Sequence, residues 1–280
     1  MQRFREGNGA APPPRVGEIL PKEGNLSKEV LRLSAHNLRE FDRCPRAFAL
    51  QYKANRFWPA PDPVPSKHME LGQAFHRIVH QKFLGLNPLI ENLNSPDLKA
   101  LWQKYTLSPY SGSEEKSRVW SEQNLHVTLD GVGFLARFDR LVRNEGNWTI
   151  LDWKTGKIDP VKLAGDWQTK LYPFILAEAG SVLNDGEEIE PSKIRMIYWE
   201  GSTGISHDRF SYDEGKHEVL RSEFEEKVRQ VSKPFDEEKA DDPNFPRNPK
   251  HCKKCGYDSL CNRLSSSNSD RPELPHPRFV

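Results

Sequence analysis

The sequence predicts a mixed α/β fold built around one sheet, and three observations support that prediction. Residues 124–129 and 132–142 flank Asp130-Gly131, a strong hairpin signal because this dipeptide readily adopts the positive φ angles of a tight turn. A second turn at residues 144–147 precedes a strand at 148–154, which gives a three-strand antiparallel meander. Stretches with helical spacing of apolar residues precede and follow these strands.

The helices are predicted from their caps and apolar spacing. Ser34 is a candidate N-cap for a first short helix, and Pro45 can open a second one. A third helix at 69–83 carries an apolar stripe, and residues 85–117 are predicted to be an insertion of helix or loop. The last core elements are a helix and a strand, at residues 166–179 and 194–199. The predicted order is therefore helix, three strands, helix, strand.

Composition limits the class of protein. The 280 residues are 36% hydrophobic and 29% charged, enough for one substantial core. No segment approaches the ~20 apolar residues of a membrane span and no secretory signal is recognisable, so we expect a cytoplasmic protein without a membrane partner. The formal charge of +1 gives no bulk attraction for nucleic acid. We expect polar tails at 1–32 and 265–280, with one domain at 33–264.

Counting outward from the two turns places three acids in one row. The second turn pairs Asp139 with Asp152, and the Asp-Gly turn pairs Glu122 with Asp139. Opposed side chains on one sheet face have Cβ atoms only ~5 Å apart, so these carboxylates repel unless a cation lies between them. Lys154 projects on the same face as Asp152. The pattern predicts a Mg²⁺ or Mn²⁺ site suited to phosphodiester hydrolysis.

The cysteines form a second candidate site. Cys44 stands far from a compact trio of Cys252, Cys255 and Cys261, a spacing that joins the two ends of the domain. Four thiolates in a reducing compartment suit a [4Fe–4S] cluster; the same set could bind zinc tetrahedrally, an alternative that spacing alone leaves open. Basic residues flank both groups of cysteines and suggest one DNA-binding surface, formed by Arg43, Arg46, Lys53, Arg56, Lys250, Lys253, Lys254 and Arg263.

These motifs together resemble the PD-(D/E)XK nuclease superfamily, in particular its RecB-like branch, which includes the small CRISPR-associated exonucleases and the AddB subunit. The similarity runs from Ser34 to Arg263. It includes the opening pattern Ser34, Leu38, Phe41, Cys44-Pro45, Phe48, Tyr52, the helix pattern Gly72 to His76, Asp139, Asp152-Trp153-Lys154, Gln168 to Tyr172, and the cysteine trio.

The resemblance implies a restriction-endonuclease-like core with an iron–sulfur staple, and it implies roles for particular residues. His76, Asp139 and Asp152 would bind metal with the Trp153 main-chain carbonyl, and Lys154 would be the catalytic lysine. Gln168 and Tyr172 lie four residues apart on one helix face and would reach the site or the DNA. Pro173 removes one hydrogen bond from that helix.

The function that follows is a metal-dependent deoxyribonuclease, and we expect an exonuclease acting on single strands or DNA ends in repair, recombination or defence. A separate helicase or other nucleic-acid-processing protein would supply any unwinding, because the chain has no helicase motif. The alternative is a non-catalytic DNA-binding scaffold subunit that keeps the fold and an iron–sulfur or zinc staple.

Overall fold

A six-stranded mixed sheet forms the centre of the fold. The structure is a computed structural model, and it describes residues 31–56, 66–112, 117–239, 241–253 and 255–265. The strands are β1 Arg32–Leu33, β2 Arg118–Leu129, β3 Val132–Asn144, β4 Asn147–Lys154, β5 Ile194–Glu200 and β6 Ile205–Ser211. The helices are α1 Ala35–Arg43, α2 Pro45–Tyr52, α3 Lys67–Phe83, α4 Pro96–Thr106, α5 Pro160–Ala164, α6 Trp167–Ala179, α7 Glu214–Val231, α8 Pro249–Cys252 and α9 Asp258–Ser265.

The predicted tails lie almost wholly outside the described residues. Of the segments 1–32 and 265–280, the structure describes residues 31, 32 and 265, where β1 begins and α9 ends. Within the described residues, no helix is both long enough and apolar enough to cross a membrane.

The predicted meander is confirmed, because both turns adopt the expected backbone. Asp130 and Gly131 have φ values of 44° and 82°, and Glu145 and Gly146 have φ values of 48° and 80°. Two successive residues at positive φ match the twist of the flanking strands. The resulting registers pair Leu129 with Val132 and Asn144 with Asn147, as counting from the turns predicts.

The sheet extends beyond the predicted meander. β2 pairs with β3 along nearly its whole length, and β4 pairs with residues 140–144 of β3. β5 lies parallel to β4, so Lys154 is beside Glu200, and β6 is antiparallel to β5. β4 therefore pairs with β3 up to Leu151 and with β5 along its whole length, so the Asp-Trp-Lys triplet lies where β3 has separated from β4.

Two apolar clusters cover the faces of the sheet. The larger cluster joins β3, β4 and β5 to α1, α6 and α7, and it includes Phe134, Trp148, Phe174 and Phe224. The second cluster packs α3 and α4 against the opposite face of β4 and β5, with members Phe75, Tyr105, Trp153 and Trp199. Trp153 faces this second cluster, and strand alternation turns Asp152 and Lys154 toward α6.

The helix caps follow the sequence signals. Ser34 accepts a hydrogen bond from the Asn37 N–H, and the Asn37 side chain accepts one from the Ser34 N–H, which completes a reciprocal cap for α1. Asp166 caps α6 by accepting a hydrogen bond from the Gln168 N–H. α6 continues through Pro173 to Ala179, so the proline does not end this helix.

Candidate active site

Asp152 is the most buried acid of the candidate site. It is 3% exposed, and its Oδ1 accepts a hydrogen bond from the Gln168 side-chain amide. Its Oδ2 lies 2.6 Å from Lys154 Nζ, but the direction of approach is not that of a hydrogen bond, so Oδ2 has no hydrogen-bond partner among the described residues. A buried carboxylate oxygen is costly unless a cation compensates it, and here the Lys154 ammonium does so through the ion pair.

Gln168 connects the lysine and the aspartate. Lys154 Nζ donates to Gln168 Oε1 at 2.8 Å, while the amide nitrogen of the same side chain donates to Asp152. Gln168 is buried, and its position in the first turn of α6 brings it directly over the end of β4. The glutamine therefore holds the Lys154 ammonium beside the Asp152 carboxylate.

Asp139 reaches β4 through its side chain. The described ladder between β3 and β4 ends at Arg140 and Leu151, one pair before the predicted pair of Asp139 with Asp152. There Asp139 Oδ2 accepts a hydrogen bond of 2.8 Å from the Trp153 N–H. The carboxylate thus takes the place of a backbone acceptor at the point where the two strands separate. Burial and the charge of Asp152 raise the pKa of Asp139, against the opposing effect of His76.

His76 completes this group from α3. Its Nδ1 lies 3.2 Å from Asp139 Oδ1, and its Nε2 lies 3.0 Å from the Trp153 carbonyl oxygen. Burial lowers the pKa of His76, but the hydrogen bond and the charge of Asp139 outweigh it and raise the pKa to about 9. The imidazole is therefore protonated at neutral pH when no cation is bound.

Glu122 on β2 lies close to both His76 and Asp139. Its carboxylate and ligand atoms of His76 and Asp139 all lie within 4.8 Å of one another, and it forms an ion pair of 2.5 Å with Arg137. Glu122 has a φ of 56°, unusual for a residue other than glycine in a strand. Phe138 and Leu141 both belong to the larger core cluster although they are three residues apart, so the pleat shifts by one residue beside Asp139.

A cavity of about 590 Å³ collects most of the predicted residues. It is lined by His76, Asp139, Asp152, Trp153, Lys154 and Gln168. Glu122 and Tyr172 do not line this cavity. The Tyr172 ring packs edge-on against Phe138, 5.0 Å between centroids, and burial followed by the charges of Asp152 and Asp139 raises the pKa of its hydroxyl.

Sequence reasoning missed other residues that line the same cavity. They are His68, Thr155, Gly156, Lys157, Ile158, Asp159, Lys162, Leu163 and Asp166. Most of them follow directly after the Asp-Trp-Lys triplet, so their place in the chain was the available signal. His68 lies one turn before Gly72 on α3 and carried no pattern of its own. An added Cβ at Gly156 would lie only 2.7 Å from His68 Nε2, so this loop packs closely against α3.

The residues around Asp139 and Asp152 fit a divalent cation by their donor types. Carboxylate and carbonyl oxygens suit Mg²⁺ and Mn²⁺, and an imidazole beside them also suits Mn²⁺. The spacing supports the same fit, because ligand atoms of His76, Glu122 and Asp139 all lie within 4.8 Å of one another.

The four cysteines line one small cavity, and Cys44 at the junction of α1 and α2 faces the three cysteines near the end of the chain. Tetrahedral zinc with Zn–S bonds of about 2.3 Å would bring the sulfurs to about 3.8 Å from one another. Among the described residues, no three of these sulfurs lie within 4.8 Å of one another. Burial raises the pKa of the Cys252 and Cys255 thiols; the charge of Asp258 adds to this effect at Cys252, whereas a backbone hydrogen bond with Tyr257 opposes it at Cys255.

The predicted basic surface near the cysteines is wrong for Arg46, whereas Arg43, Arg56, Lys250 and Lys253 are exposed. Arg46 is fully buried and donates to the Lys239 and Glu237 carbonyl oxygens, at 2.7 and 3.0 Å. Lys53 donates to two further carbonyl oxygens, and Arg56 forms a two-point ion pair with Glu237. These three cations bind α2 to the segment that follows α7, and Arg46, being fully buried, cannot contact DNA. The side chains of Lys254 and Arg263 lie outside the described residues.

The comparison with family models agrees with this arrangement. The family model of the PD-(D/E)XK nuclease superfamily matches residues 32–262. This protein belongs to the PD-(D/E)XK nuclease superfamily.

Solved structures with a similar arrangement share little sequence with this chain. The crystal structure of a protein called SSO0001 is 15% identical with a TM-score of 0.43, and the similarity covers 86% of this chain and 89% of that one. A candidate exonuclease from Eubacterium rectale is 12% identical with a TM-score of 0.49, covering 87% of this chain and 91% of that one. The comparison with curated proteins found no match.

Proposed function

We propose that this protein is a metal-dependent deoxyribonuclease that hydrolyses phosphodiester bonds, acting as an exonuclease on single strands or DNA ends. The observation that carries the proposal is the convergence of His76, Asp139, Asp152 and Lys154 on one cavity, with Gln168 linking the last two. Membership of the nuclease superfamily supports the reaction class. The preference for ends rests on the resemblance of the motif set to the RecB-like branch.

In the proposed site, Asp139, Asp152, His76 and the Trp153 carbonyl oxygen hold Mg²⁺ or Mn²⁺. When bound, the cation would supply Lewis acidity at the phosphate and a water activated for attack. Lys154 offsets the negative charge that develops on the phosphate oxygens, and Gln168 keeps its ammonium in place. Tyr172 supports Phe138 behind the site, and Glu122 is a candidate further ligand.

The proposed function is tested by digestion of labelled nucleic acids with anaerobically purified protein. Linear single-stranded DNA, linear duplex, circular single-stranded DNA and RNA of matched sequence are each incubated with Mg²⁺ or Mn²⁺. We expect the linear DNA single strand to shorten from an end, the circle and the RNA to persist, and Lys154→Met to be inactive. Binding of the strands without cleavage under every condition would instead favour the non-catalytic scaffold subunit.

For the cysteines we propose a [4Fe–4S] cluster that joins α1 and α2 to the C-terminal segment. The choice over one zinc ion rests on the resemblance to the RecB-like branch, because four cysteines that line one cavity suit either metal. An iron–sulfur protein prepared without oxygen is brown and contains iron and acid-labile sulfide. Colourless protein with one zinc per chain would overturn the proposal.

A further inference from the structure

We infer that Arg39 on α1 is a positioning residue for the proposed nuclease site, because it holds the first turn of α6 from which Gln168 reaches Lys154 and Asp152. Its guanidinium makes two hydrogen bonds with the Asp166 carboxylate, Nε to Oδ2 at 2.7 Å and NH2 to Oδ1 at 2.6 Å. The inference rests on the proposed function, since Gln168 matters only if the cavity is catalytic.

Asp166 connects this pair to the site. The same Oδ1 that accepts from Arg39 also accepts from the Gln168 N–H at 2.8 Å, so one carboxylate oxygen joins α1 to the N-terminus of α6. The first turn of a helix has few hydrogen bonds of its own and depends on its cap. The position of the Gln168 side chain therefore depends on how firmly Asp166 is held.

A second contact between α1 and α6 supports the same assignment. Asp42 Oδ2 accepts a hydrogen bond of 2.6 Å from Trp167 Nε1, one residue before Gln168. The other oxygen of Asp42 accepts from Lys227 on α7 at 2.6 Å. α1 thus forms hydrogen bonds with both Asp166 and Trp167 at the start of α6. The C-terminal end of α1 is itself held by a hydrogen bond from the Asn248 side chain to the Arg43 carbonyl oxygen.

The Arg39–Asp166 ion pair differs from an ordinary surface ion pair because it positions a residue of the proposed site. A surface pair contributes little to global stability, and the side chains of Arg39 and Asp166 are 43% and 22% exposed. A displacement of a reacting group by about 1 Å, in contrast, can reduce turnover by roughly two orders of magnitude. Loss of Arg39 should therefore reduce turnover far more than it reduces stability.

The test compares Arg39→Gln, Asp166→Asn and their double variant with the wild-type protein in steady-state cleavage of a labelled single strand. Asparagine is as good an N-cap as aspartate, so Asp166→Asn removes the charge pair and keeps the cap. We expect each single variant to lower kcat by about tenfold, within the range for residues that orient a catalytic group, with KM within about twofold of wild type. The double variant should be no worse than the single ones.

The matched control is Asp185→Asn, which breaks the ion pairs of exposed Asp185 with Arg118 and Arg143, none of which lines the cavity. Asp185 has a φ of 57°, a conformation that asparagine tolerates well. This variant should keep the wild-type kcat. Arg39→Lys keeps the charge without the two-point geometry, and it should recover only part of the activity.

Amide hydrogen exchange in metal-free protein provides a measurement that does not depend on cleavage. Arg39→Gln should accelerate exchange at residues 168–171 relative to wild type and to Asp185→Asn. Unchanged exchange at these residues would overturn the inference, whether or not the wild-type protein cleaves DNA. An inactive wild-type protein would count against the proposed function and not against the inference. With an active wild type, the inference also fails if Arg39→Gln keeps the wild-type kcat or if its KM alone changes.

Discussion

Replacing Asp152 with asparagine should remove both cleavage and divalent cation binding while leaving the fold in place. The side chain keeps its size, and its Oδ1 can still accept the hydrogen bond from Gln168. What the substitution removes is the negative charge at a site that is 3% exposed, where Oδ2 faces Lys154 without a hydrogen bond. A neutral oxygen is a poor ligand for Mg²⁺ or Mn²⁺ compared with a carboxylate.

The expected magnitudes follow from the role of the cation. Stabilisation of the transition-state charge by a metal is worth several kcal/mol, so the cleavage rate should fall by at least about 10³-fold. In the wild-type protein, Mn²⁺ at about 100 times its Kd should stabilise the fold by about 2.7 kcal/mol. For a chain of this size that corresponds to a rise in Tm of roughly 5–10 °C, which Asp152→Asn should lose.

Asp242→Asn is the matched control, because Asp242 is also 3% exposed and accepts hydrogen bonds from the N–H groups of Asp236 and Asn244, outside the cavity. This control should have a lower Tm, yet keep both cleavage and the Mn²⁺-dependent rise. The assay pairs initial rates on a labelled single strand with thermal unfolding at increasing Mn²⁺. Wild-type cleavage by Asp152→Asn, or an undiminished rise in its Tm, would refute the assignment of Asp152 as a ligand.

Three further perturbations test other parts of the structure. Because the pKa of His76 is raised to about 9, its proton stabilises the metal-free protein at low pH, and this stabilisation is lost as pH rises through about 9. Mn²⁺ binding at pH 7.5 should therefore release protons, which calorimetry in buffers of different ionisation enthalpy detects. Absence of proton release would contradict His76 as a ligand. Arg46→Met should lower the free energy of unfolding, measured in urea, by about 2–4 kcal/mol, because two carbonyl oxygens lose a buried donor. Arg56→Met breaks an exposed ion pair and should lower the same free energy by less than about 1 kcal/mol. Equal losses would refute this distinction between the two arginines. Cys255→Ser should abolish the brown colour and iron content of anaerobic preparations, and retained iron would remove this cysteine from the ligand set.

The register of the meander could be predicted because hairpin turns determine it locally. Once Asp130-Gly131 and Glu145-Gly146 adopt positive φ, the later pairs along the strands are determined by counting, and the observed ladders follow that count except at the predicted pairs of Asp139 with Glu122 and Asp152, which they leave out. The shared face of Asp152 and Lys154 followed from strand alternation. These parts of the candidate site therefore depend on interactions between residues close in sequence.

The distortion at Asp139 could not be predicted in this way. Strict alternation gives no reason for the positive φ of Glu122, or for Asp139 to bond the Trp153 N–H through its side chain. Both depend on how β3 separates from β4 and on His76 from a distant helix. The role of Arg46 was also hidden, because its carbonyl partners lie about 190 residues away in sequence, in a segment without a motif.

The two candidate sites differ in how they balance charge without a bound group. At the nuclease site, Asp139 lies 3.2 Å from His76 and Asp152 lies 2.6 Å from Lys154, so each acid has a cation of the chain beside it. The fold therefore does not depend on a divalent cation, which must instead compete with the proton on His76. At the cysteine site burial favours the protonated thiols of Cys252 and Cys255, so a bound metal would have to displace those protons, and its binding energy would then help to join the two segments. A chelator that strips divalent cations should thus abolish cleavage without unfolding the protein, whereas loss of the cysteine-bound metal should loosen the contact between α1, α2 and the C-terminal segment.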